Sequence, residues 1–240
     1  FYYSIYNPII GSVPDHIEEV LPLVDYRKVV IDEVEKTVFL QIEGMKLDLG
    51  GIVKGYVADC LRTYLQQQGF HDAVIDIGKN IILMGKYQGK GWKTSLQTPY
   101  IERYSYSQEE QMYYYGRLYL SDKTIVTSGV YEKYIMDKDQ KEYHHILDPR
   151  TGFPFDNSVI SVSVITDSSI DADGYSTTLL TLGLEMGMEL VNQTENLEAI
   201  YVIRNNDKYQ VYISKGLLDQ FEFNENVRSL GYEYKGVFGE

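Results

Sequence analysis

The chain has 240 residues, with 22 Lys and Arg against 35 Asp and Glu, and its formal net charge is −13 at pH 7. This acidity argues against non-specific nucleic-acid binding, which needs basic side chains to neutralise phosphates. Because Cys60 is the one cysteine, an intramolecular disulfide and a cysteine-based zinc site are excluded. A hydrophobic content of 44% indicates a packed globular protein, and 23 tyrosines favour β structure.

Hydrophobic periodicity predicts an α+β fold. The predicted helices span residues 14–24, 50–68 and 172–192. The predicted strands span residues 28–31, 37–42, 73–77, 81–84, 92–96, 117–120, 124–127, 159–166, 199–204 and 208–214. We expect strands 92–96, 117–120 and 124–127 to continue one sheet, with a long excursion at residues 100–115. We also expect Cys60 to be buried on the apolar stripe of its helix. Each long helix precedes several antiparallel strands, which indicates two similar halves.

A strand-to-helix turn at residues 47–56 is the first segment that could carry chemistry. The strand ends in Asp48, Gly50 and Gly51 form the turn, and Lys54 follows in the first turns of the helix. Backbone N–H groups at a helix N-terminus attract phosphate or a metal–phosphate pair. The same spacing is also typical of an ordinary turn with an exposed lysine, and it is not a Walker A loop.

Two adjacent histidines, His144 and His145, precede a predicted turn at Asp148 and Pro149. Neighbouring side chains of an extended segment point to opposite faces, so the pair is not expected to share one metal. The histidine that points inward could be a general base near pH 7. The alternative is a structural histidine beside a surface turn.

The third segment lies at the start of the last predicted helix. Asp173 and Thr177 are four residues apart and therefore on one helix face. A carboxylate and a hydroxyl are hard oxygen ligands suited to Mg²⁺. The alternative is that Asp173 only stabilises the helix dipole while Thr177 faces solvent.

Together with two further segments, these motifs resemble the ApbE family, the Mg²⁺-dependent FAD:protein FMN transferases. The motifs in order are LDLGGIVKGYVAD at 47–59, VIDIGKNIILMG at 74–85, TSGVY at 127–131, YHHILDPRTGFP at 143–154 and ADGYSTTLLTLG at 172–183. The resemblance runs from about residue 7 to residue 221 and implies an ApbE-like, T-fold-like α+β fold with mixed sheets. It also implies one domain over residues 1–240, with the N-terminal part of the family domain missing.

The resemblance implies binding of FAD and Mg²⁺, transfer of FMN to a Thr or Ser hydroxyl of a target flavoprotein, and release of AMP. Some members instead hydrolyse FAD to FMN and AMP, and a diverged, non-catalytic flavin-binding protein is a third hypothesis. Members usually act outside the cytoplasmic membrane, often as lipoproteins, so we expect a lipid-anchored protein whose anchor is not in this sequence.

Motif matching gives the implied site residues. The implied FAD contacts are Asp48, Lys54, Ile146, Tyr6 and Asn7. The implied metal ligands are Asp173, Thr177 and the carbonyl of Gly51. His145 would be the base for the acceptor hydroxyl, and Asp173 would be catalytic through the metal.

Two positions depart from the family pattern. Asn7 stands where an Asp is expected, and Lys79 replaces the second glycine of a Gly-Gly-Asn sequence. The family's Met-Gly-Thr strand and Ser-Thr-Tyr segment, which help to hold the flavin, are not in this sequence. We expect that N-terminal family residues are absent from it, rather than that the flavin site has diverged.

Overall fold

The structure is a computed structural model, which describes the backbone of residues 9–10 and the whole of residues 17–100, 113–136 and 142–240. The chain divides into two compact units. The first comprises residues 1–49 and 132–156, and the second comprises residues 50–131 and 157–240. That residues 1–240 form one domain of the predicted kind stays a prediction.

Helices and strands are numbered in chain order over the described residues. The α-helices are α1 (Ile17–Val20), α2 (Val53–Gln67), α3 (Ser169–Leu182) and α4 (Leu184–Gln193). Short 3₁₀ helices span Leu21–Leu23, Tyr26–Lys28, Lys215–Leu217 and Glu225–Leu230. The strands are β1 (Ile9–Ile10), β2 (Val29–Asp32), β3 (Thr37–Leu40), β4 (Ala73–Asp76), β5 (Asn80–Met84), β6 (Trp92–Gln97), β7 (Tyr114–Leu120), β8 (Lys123–Gly129), β9 (Tyr134–Met136), β10 (Glu142–His144), β11 (Val159–Thr166), β12 (Glu198–Asn205), β13 (Lys208–Ile213), β14 (Phe221–Phe223) and β15 (Tyr232–Val237).

The first unit contains two small sheets. Strand β9 pairs with β1 in parallel and with β10 in antiparallel orientation, while β2 and β3 form the hairpin predicted from their alternating residues. Of the helix predicted at residues 14–24, residues 17–23 are helical, and residues 14–16 lie outside the described residues.

The second unit is built on a seven-stranded mixed sheet of order β15-β13-β12-β11-β8-β5-β4. Only the β13–β15 pair is parallel within this sheet. All eight residues of β11 are buried, because the strand is covered on both faces. Helix α3 packs on β8 and β11, and a hydrophobic core joins the sheet to a second sheet of order β14-β7-β6.

The two predicted halves are visible in the order of the elements. Helix α2 precedes the antiparallel pair β4–β5, and helices α3 and α4 precede the antiparallel pair β12–β13. Both pairs belong to the seven-stranded sheet. The α+β class is therefore confirmed.

Three expectations about individual elements are wrong. The strands predicted at 92–96 and 117–120 belong to the second sheet and do not continue into the strand at 124–127. The helix predicted at 172–192 is interrupted at Gly183, whose φ of +82° ends α3 and turns the chain before α4. Cys60 is exposed. Of the predicted excursion at 100–115, residues 101–112 lie outside the described residues.

The exposure of Cys60 follows from how α2 packs. The buried residues of this helix are Gly55 and Ala58, its small ones, whereas Tyr56 and Tyr64 are each 58% exposed. Helix α2 thus turns its smallest side chains inward, and of its large apolar side chains only Leu65 packs against the described core. Among the described residues, no helix has the length and hydropathy needed to span a bilayer.

Candidate metal and nucleotide site

Helices α2 and α3 approach each other closely in the second unit. A Cβ placed on Gly55, in the first turn of α2, would lie 2.3 Å from the carbonyl oxygen of Ser169 at the start of α3. Ala58, about one turn further along α2, is completely buried. The absence of a side chain at Gly55 lets the two backbones meet. The first turn of α2 is therefore held against the beginning of α3.

Asp173 lies at this crossing. Its Oδ2 accepts a hydrogen bond of 2.9 Å from the backbone N–H of Gly55, and the residue is only 5% exposed. No ion pair found among the described residues includes Asp173. A carboxylate withdrawn from water needs compensating partners, and one neutral N–H group supplies only part of that compensation. A bound cation would add to this compensation.

A chain of hydroxyl groups connects Thr177 to the backbone of α3. Ser128 Oγ, on β8, lies 3.3 Å from Thr177 Oγ1 and 2.8 Å from Ser176 Oγ. Ser176 in turn donates to the carbonyl oxygen of Asp173 at 3.0 Å. Because a carbonyl only accepts, Ser128 donates to Ser176 and Thr177 donates to Ser128. The lone pairs of the Thr177 oxygen then remain available to a cation.

These contacts bear on the structural alternative for the third segment. The Asp173 carboxylate bonds to α2 rather than to the N-terminus of its own helix, and Thr177 is in contact with Ser128 and is not simply directed into solvent. Asp173 therefore does not stabilise the N-terminus of its own helix but contacts the first turn of α2, and its role as a metal ligand stays a prediction.

Lys54 and Gly51 lie at the end of α2 that meets Asp173. Lys54 directly precedes Gly55, and its Nζ donates to the carbonyl oxygen of Gly78 at 3.3 Å. Gly51 is exposed in the turn before α2, where an added Cβ would meet nothing within 4 Å. The described contacts do not include one between Gly51 and Asp173 or Thr177. Packing around its Cα thus does not require the glycine.

The residues present fit a magnesium ion. No group of three or more His, Cys, Asp and Glu side chains in the described part of the chain is arranged to hold a metal. The predicted ligands, however, are one carboxylate, one hydroxyl and one carbonyl. Mg²⁺ is commonly held by one or two carboxylates together with substrate phosphates and water. Asp173 and Thr177 would supply the protein's part of such a set.

The structure separates the two adjacent histidines of the first unit. His144 is half-buried, accepts at Nδ1 from the N–H of Ile146 at 3.3 Å, and contacts the carbonyl of Phe155 through Nε2 at 3.0 Å. His145 is exposed, and its Nδ1 lies 3.1 Å from the carbonyl oxygen of Lys133. A carbonyl accepts only, so neutral His145 carries its proton on Nδ1, and Nε2 is its proton acceptor. The inward-pointing histidine is thus His144, which is structural.

Burial lowers the pKa of His144 below its usual 6.5, against the opposing effect of the Phe155 carbonyl. The folded protein therefore binds fewer protons than the unfolded chain just below this pH, and its stability decreases as the pH falls through about 6.5. We expect the Tm to drop by a few degrees between about pH 7.5 and about pH 5, and to drop less in a His144→Gln variant. Thermal unfolding across this range measures the effect. The matched control is His71→Gln, at an exposed histidine; an unchanged pH slope in His144→Gln would contradict the prediction.

The turn after the histidines is held by its own residues. Asp148 accepts hydrogen bonds from the Arg150 guanidinium and from the Arg150 backbone N–H, and these lower the pKa of its carboxyl group. Its backbone carbonyl accepts from the N–H of Gly152, which has a φ of +75°. Ile146, on the other side of the same stretch, is 9% exposed. The carboxylate of this motif therefore organises a turn.

The remaining predicted FAD contacts are Asp48, Tyr6 and Asn7. Asp48 is exposed in the first unit. Tyr6 and Asn7 lie outside the described residues. Their proposed contacts with FAD stay predictions.

Comparison with known families identifies the chain. The sequence model of the ApbE family matches residues 10–201. The chain belongs to the ApbE family. The resemblance inferred from the motifs is thereby confirmed.

Relatives within the ApbE family are named for one activity. The FAD:protein FMN transferase of Klebsiella pneumoniae (strain 342) is 41% identical over 198 residues, which cover 82% of this chain and 58% of that protein. The FAD:protein FMN transferase of Treponema pallidum (strain Nichols) is 34% identical over 221 residues, covering 86% of this chain and 58% of that protein. This chain thus spans 58% of the length of these two curated relatives.

Solved ApbE structures have the same fold. The flavin transferase ApbE from Vibrio cholerae superposes with a TM-score of 0.71 at 27% identity, over 89% of this chain and 64% of that chain. The ApbE protein from Thermotoga maritima gives a TM-score of 0.68 at 26% identity, over 92% of this chain and 65% of that chain. The predicted ApbE-like fold is therefore confirmed.

Two residues of the ApbE motifs acquire a structural explanation. Ser128, in the Thr-Ser-Gly sequence, received no role from the sequence, and only the packing of α3 on β8 brings it to Thr177.

Lys79, which replaces a family glycine, has a φ of +68°, a conformation that favours glycine. Its Nζ lies 3.2 Å from the Tyr131 hydroxyl and 4.7 Å from the centre of that ring. The departure thus keeps the glycine-like backbone and adds a cation–π contact.

Proposed function

We propose that the chain transfers FMN from FAD to a Thr or Ser hydroxyl of a target flavoprotein, with Mg²⁺ bound, and releases AMP. The observation that carries this proposal is Asp173, a nearly buried carboxylate that accepts from Gly55, one helical turn before Thr177, whose hydroxyl contacts Ser128. The relatives named FAD:protein FMN transferase support it.

The protein's role at the diphosphate is to provide fixed positive charge. Asp173, Thr177 and the Gly51 carbonyl would hold Mg²⁺, which would supply the positive charge that a reacting diphosphate needs. Lys54 adds a cation at the same end of α2. A net charge of −13 repels an anionic dinucleotide, so these local positive charges are needed for binding.

His145 is proposed to take the proton of the acceptor hydroxyl. The hydroxyl oxygen forms a bond to the phosphorus of the FMN moiety, the anhydride bond to the AMP phosphate breaks, and AMP leaves with that bond's electron pair. The hydroxyl proton passes to Nε2 of His145, because its Nδ1 already donates to the carbonyl of Lys133. A neutral imidazole oriented in this way suits a reaction near pH 7.

The direct test uses the protein with FAD, Mg²⁺ and an acceptor domain that carries a Thr or Ser flavinylation motif. Intact mass spectrometry of the acceptor and an AMP assay are the readouts. We expect the acceptor to gain one FMN as AMP is released, and EDTA to abolish both signals. Release of AMP without a mass gain would instead support the FAD pyrophosphatase. Absence of both signals in protein that binds FAD would contradict both the transferase and the pyrophosphatase activity.

The base assignment predicts a separation of binding from transfer. In a His145→Gln variant we expect transfer to slow by about 10²–10⁴-fold, which is the usual contribution of a general base, while FAD affinity is retained. The measurements are FMN transfer and FAD fluorescence titration, with His71→Gln as the control at an exposed histidine. Equal loss of binding and transfer would indicate a structural role for His145.

The hydroxyl chain predicts a role for Ser128 in metal affinity. Ser128→Ala removes the acceptor of the Thr177 proton, and partners of metal ligands typically affect affinity by about 10–100-fold. We therefore expect the Mg²⁺ concentration for half-maximal AMP release to rise by about tenfold. Ser163→Ala is the control, because Ser163 is 1% exposed and bonds to the Thr127 hydroxyl at 2.7 Å instead of to Thr177. An equal effect of both variants would contradict the assignment.

A lipid-anchored location outside the cytoplasmic membrane and a Thr or Ser acceptor motif complete the proposal. Both rest on the resemblance to the family. Fractionation of cells that produce the protein tests the location, and detection of flavin-labelled proteins in each fraction shows whether an acceptor is there. Recovery of the protein in the cytoplasmic fraction would contradict the location.

A further inference from the structure

Helix α3 is capped by a residue of another helix. Asp59, on α2, accepts the backbone N–H of Ser169 at 3.1 Å through Oδ1 and that of Ile170 at 2.9 Å through Oδ2. The side chain of Ser168, the residue before α3, accepts from the N–H of Asp171 at 3.3 Å, while its backbone carbonyl accepts from the N–H of Ala172 at 3.0 Å. The first N–H groups of a helix have no partner within it, so a carboxylate at this point is both an acceptor and a charge matched to the helix dipole.

The bond from Asp59 is paired with a bond in the opposite direction. Gly55 on α2 donates to Asp173 on α3, and Ser169 on α3 donates to Asp59 on α2. In each helix the two positions are one turn apart. The earlier residue of α2 bonds to the later residue of α3 and the later residue of α2 to the earlier one of α3, so the helices run antiparallel at this crossing. A single contact would leave α3 free to pivot, whereas two contacts separated by a turn determine both its rotation and its position along α2.

The carboxylate of Asp59 is itself held in place. Arg62, in the next turn of α2, donates to Asp59 Oδ1 at 2.7 Å and to the backbone carbonyl of Asp167 at 2.7 Å. The Asp59 side chain is 21% exposed, so it is largely shielded from competing water. Arg62 therefore links the capping carboxylate to the segment that leads into α3.

We propose that Asp59 is a positioning residue for the metal site. Asp173 and Thr177 follow the anchored Ser169 by one and two turns of α3, while the turn that contains Gly51 precedes Gly55 on the α2 side. Mg²⁺ demands near-octahedral geometry at roughly 2.0–2.1 Å, so ligands on two helices need a defined helix-to-helix register. This inference rests on the proposed function, because it concerns the metal assigned there to Asp173.

The test is an Asp59→Asn variant whose Mn²⁺ affinity is measured by electron paramagnetic resonance, with ADP present as the diphosphate. The Asn side chain has the same shape as Asp, but its amide nitrogen would face one of the backbone N–H donors of Ser169 and Ile170. The variant therefore weakens the cap. We expect Mn²⁺ to bind about 10–100-fold more weakly, the range typical of residues that orient metal ligands. Asp171→Asn is the control. It makes the same change from a carboxylate to an amide, but in the first turn of α3 itself.

Kinetics then separate positioning from general damage. In Asp59→Asn we expect the Mg²⁺ concentration for half-maximal AMP release to rise, with the rate at saturating Mg²⁺ retained. An Arg62→Gln variant, which keeps the capping carboxylate but loosens it, should shift the Mg²⁺ requirement less in the same direction.

The outcomes are distinguishable. Wild-type protein that binds no Mn²⁺ would overturn the proposed metal and this inference with it. Normal binding by wild type and equal affinity in Asp59→Asn would overturn the role of Asp59 alone. A lower binding stoichiometry, or a lower rate at saturating Mg²⁺ with no change in the Mg²⁺ requirement, would show that Asp59 only maintains the fold.

Discussion

An Asp173→Ala variant is expected to lose Mg²⁺-dependent release of AMP from FAD by at least about a thousandfold. A bound metal contributes several kcal/mol to the stabilisation of transition-state charge, and each 1.4 kcal/mol or so is a factor of ten in rate. Asp173 is the one carboxylate in the proposed ligand set, so its removal leaves only neutral oxygens. AMP formation measured over a range of Mg²⁺ concentrations reports the effect, and undiminished release would contradict the metal assignment.

A second readout shows whether this loss is specific. The wild-type Tm is expected to rise when Mg²⁺ and ADP are added, because a ligand that binds only the folded state stabilises it. Asp173→Ala should not show this rise while remaining folded, since the carboxylate that it removes is nearly buried and incompletely compensated. Asp171→Ala, at an exposed position in the first turn of the same helix, should retain both the rise and the activity.

A Gly55→Ala variant is expected to destabilise the protein, although alanine is the better helix former. The new Cβ would lie 2.3 Å from the Ser169 carbonyl oxygen and 2.6 Å from the Ile170 Cα, both backbone atoms of α3. The helices must separate, and overpacking of this kind costs about 1–3 kcal/mol. The gain from helix propensity is at most about 1 kcal/mol, so the net change is unfavourable. Thermal unfolding should show a Tm lower by several degrees.

The matched control for this substitution is Gly174→Ala. Gly174 lies within α3, and an added Cβ there meets nothing within 4 Å. We expect this variant to be as stable as the wild type or more stable by up to about 1 kcal/mol. Gly55→Ala should also weaken Mg²⁺-dependent activity, since it displaces the N–H that holds Asp173. Equal stability of the two variants would contradict the close approach of α2 and α3.

The local elements could largely be predicted from the sequence. The β2–β3 and β12–β13 hairpins and the helix after the Gly-Gly turn have clear periodicity, and each forms within a few residues of its predicted bounds. Strands β1, β9, β10, β14 and β15 were not predicted; the first four have two or three residues each, and β15 contains Gly236 at a positive φ. Residues that adopt such a conformation interrupt the alternation on which strand prediction depends.

The burial of α2 could not be predicted from its pattern. The apolar stripe that contains Cys60 was expected to face the core, yet Gly55 and Ala58 are the buried positions. Periodicity identifies an apolar face, but it does not tell whether another element covers that face. Contact between two helix backbones instead selects small residues, which contribute little to a hydrophobic pattern.

The sequence by itself determined the family, the α+β class and the chemical types of the proposed site residues. Short motifs preserve these features, because a glycine turn, a carboxylate and a hydroxyl four residues apart are local. Only the tertiary structure decided which acceptors and donors meet. Asp59 and Ser169 are 110 positions apart, and Ser128 and Thr177 are 49 apart. Hydrogen bonds of this kind depend on how helices pack on each other and on the sheet, and no local pattern encodes that packing.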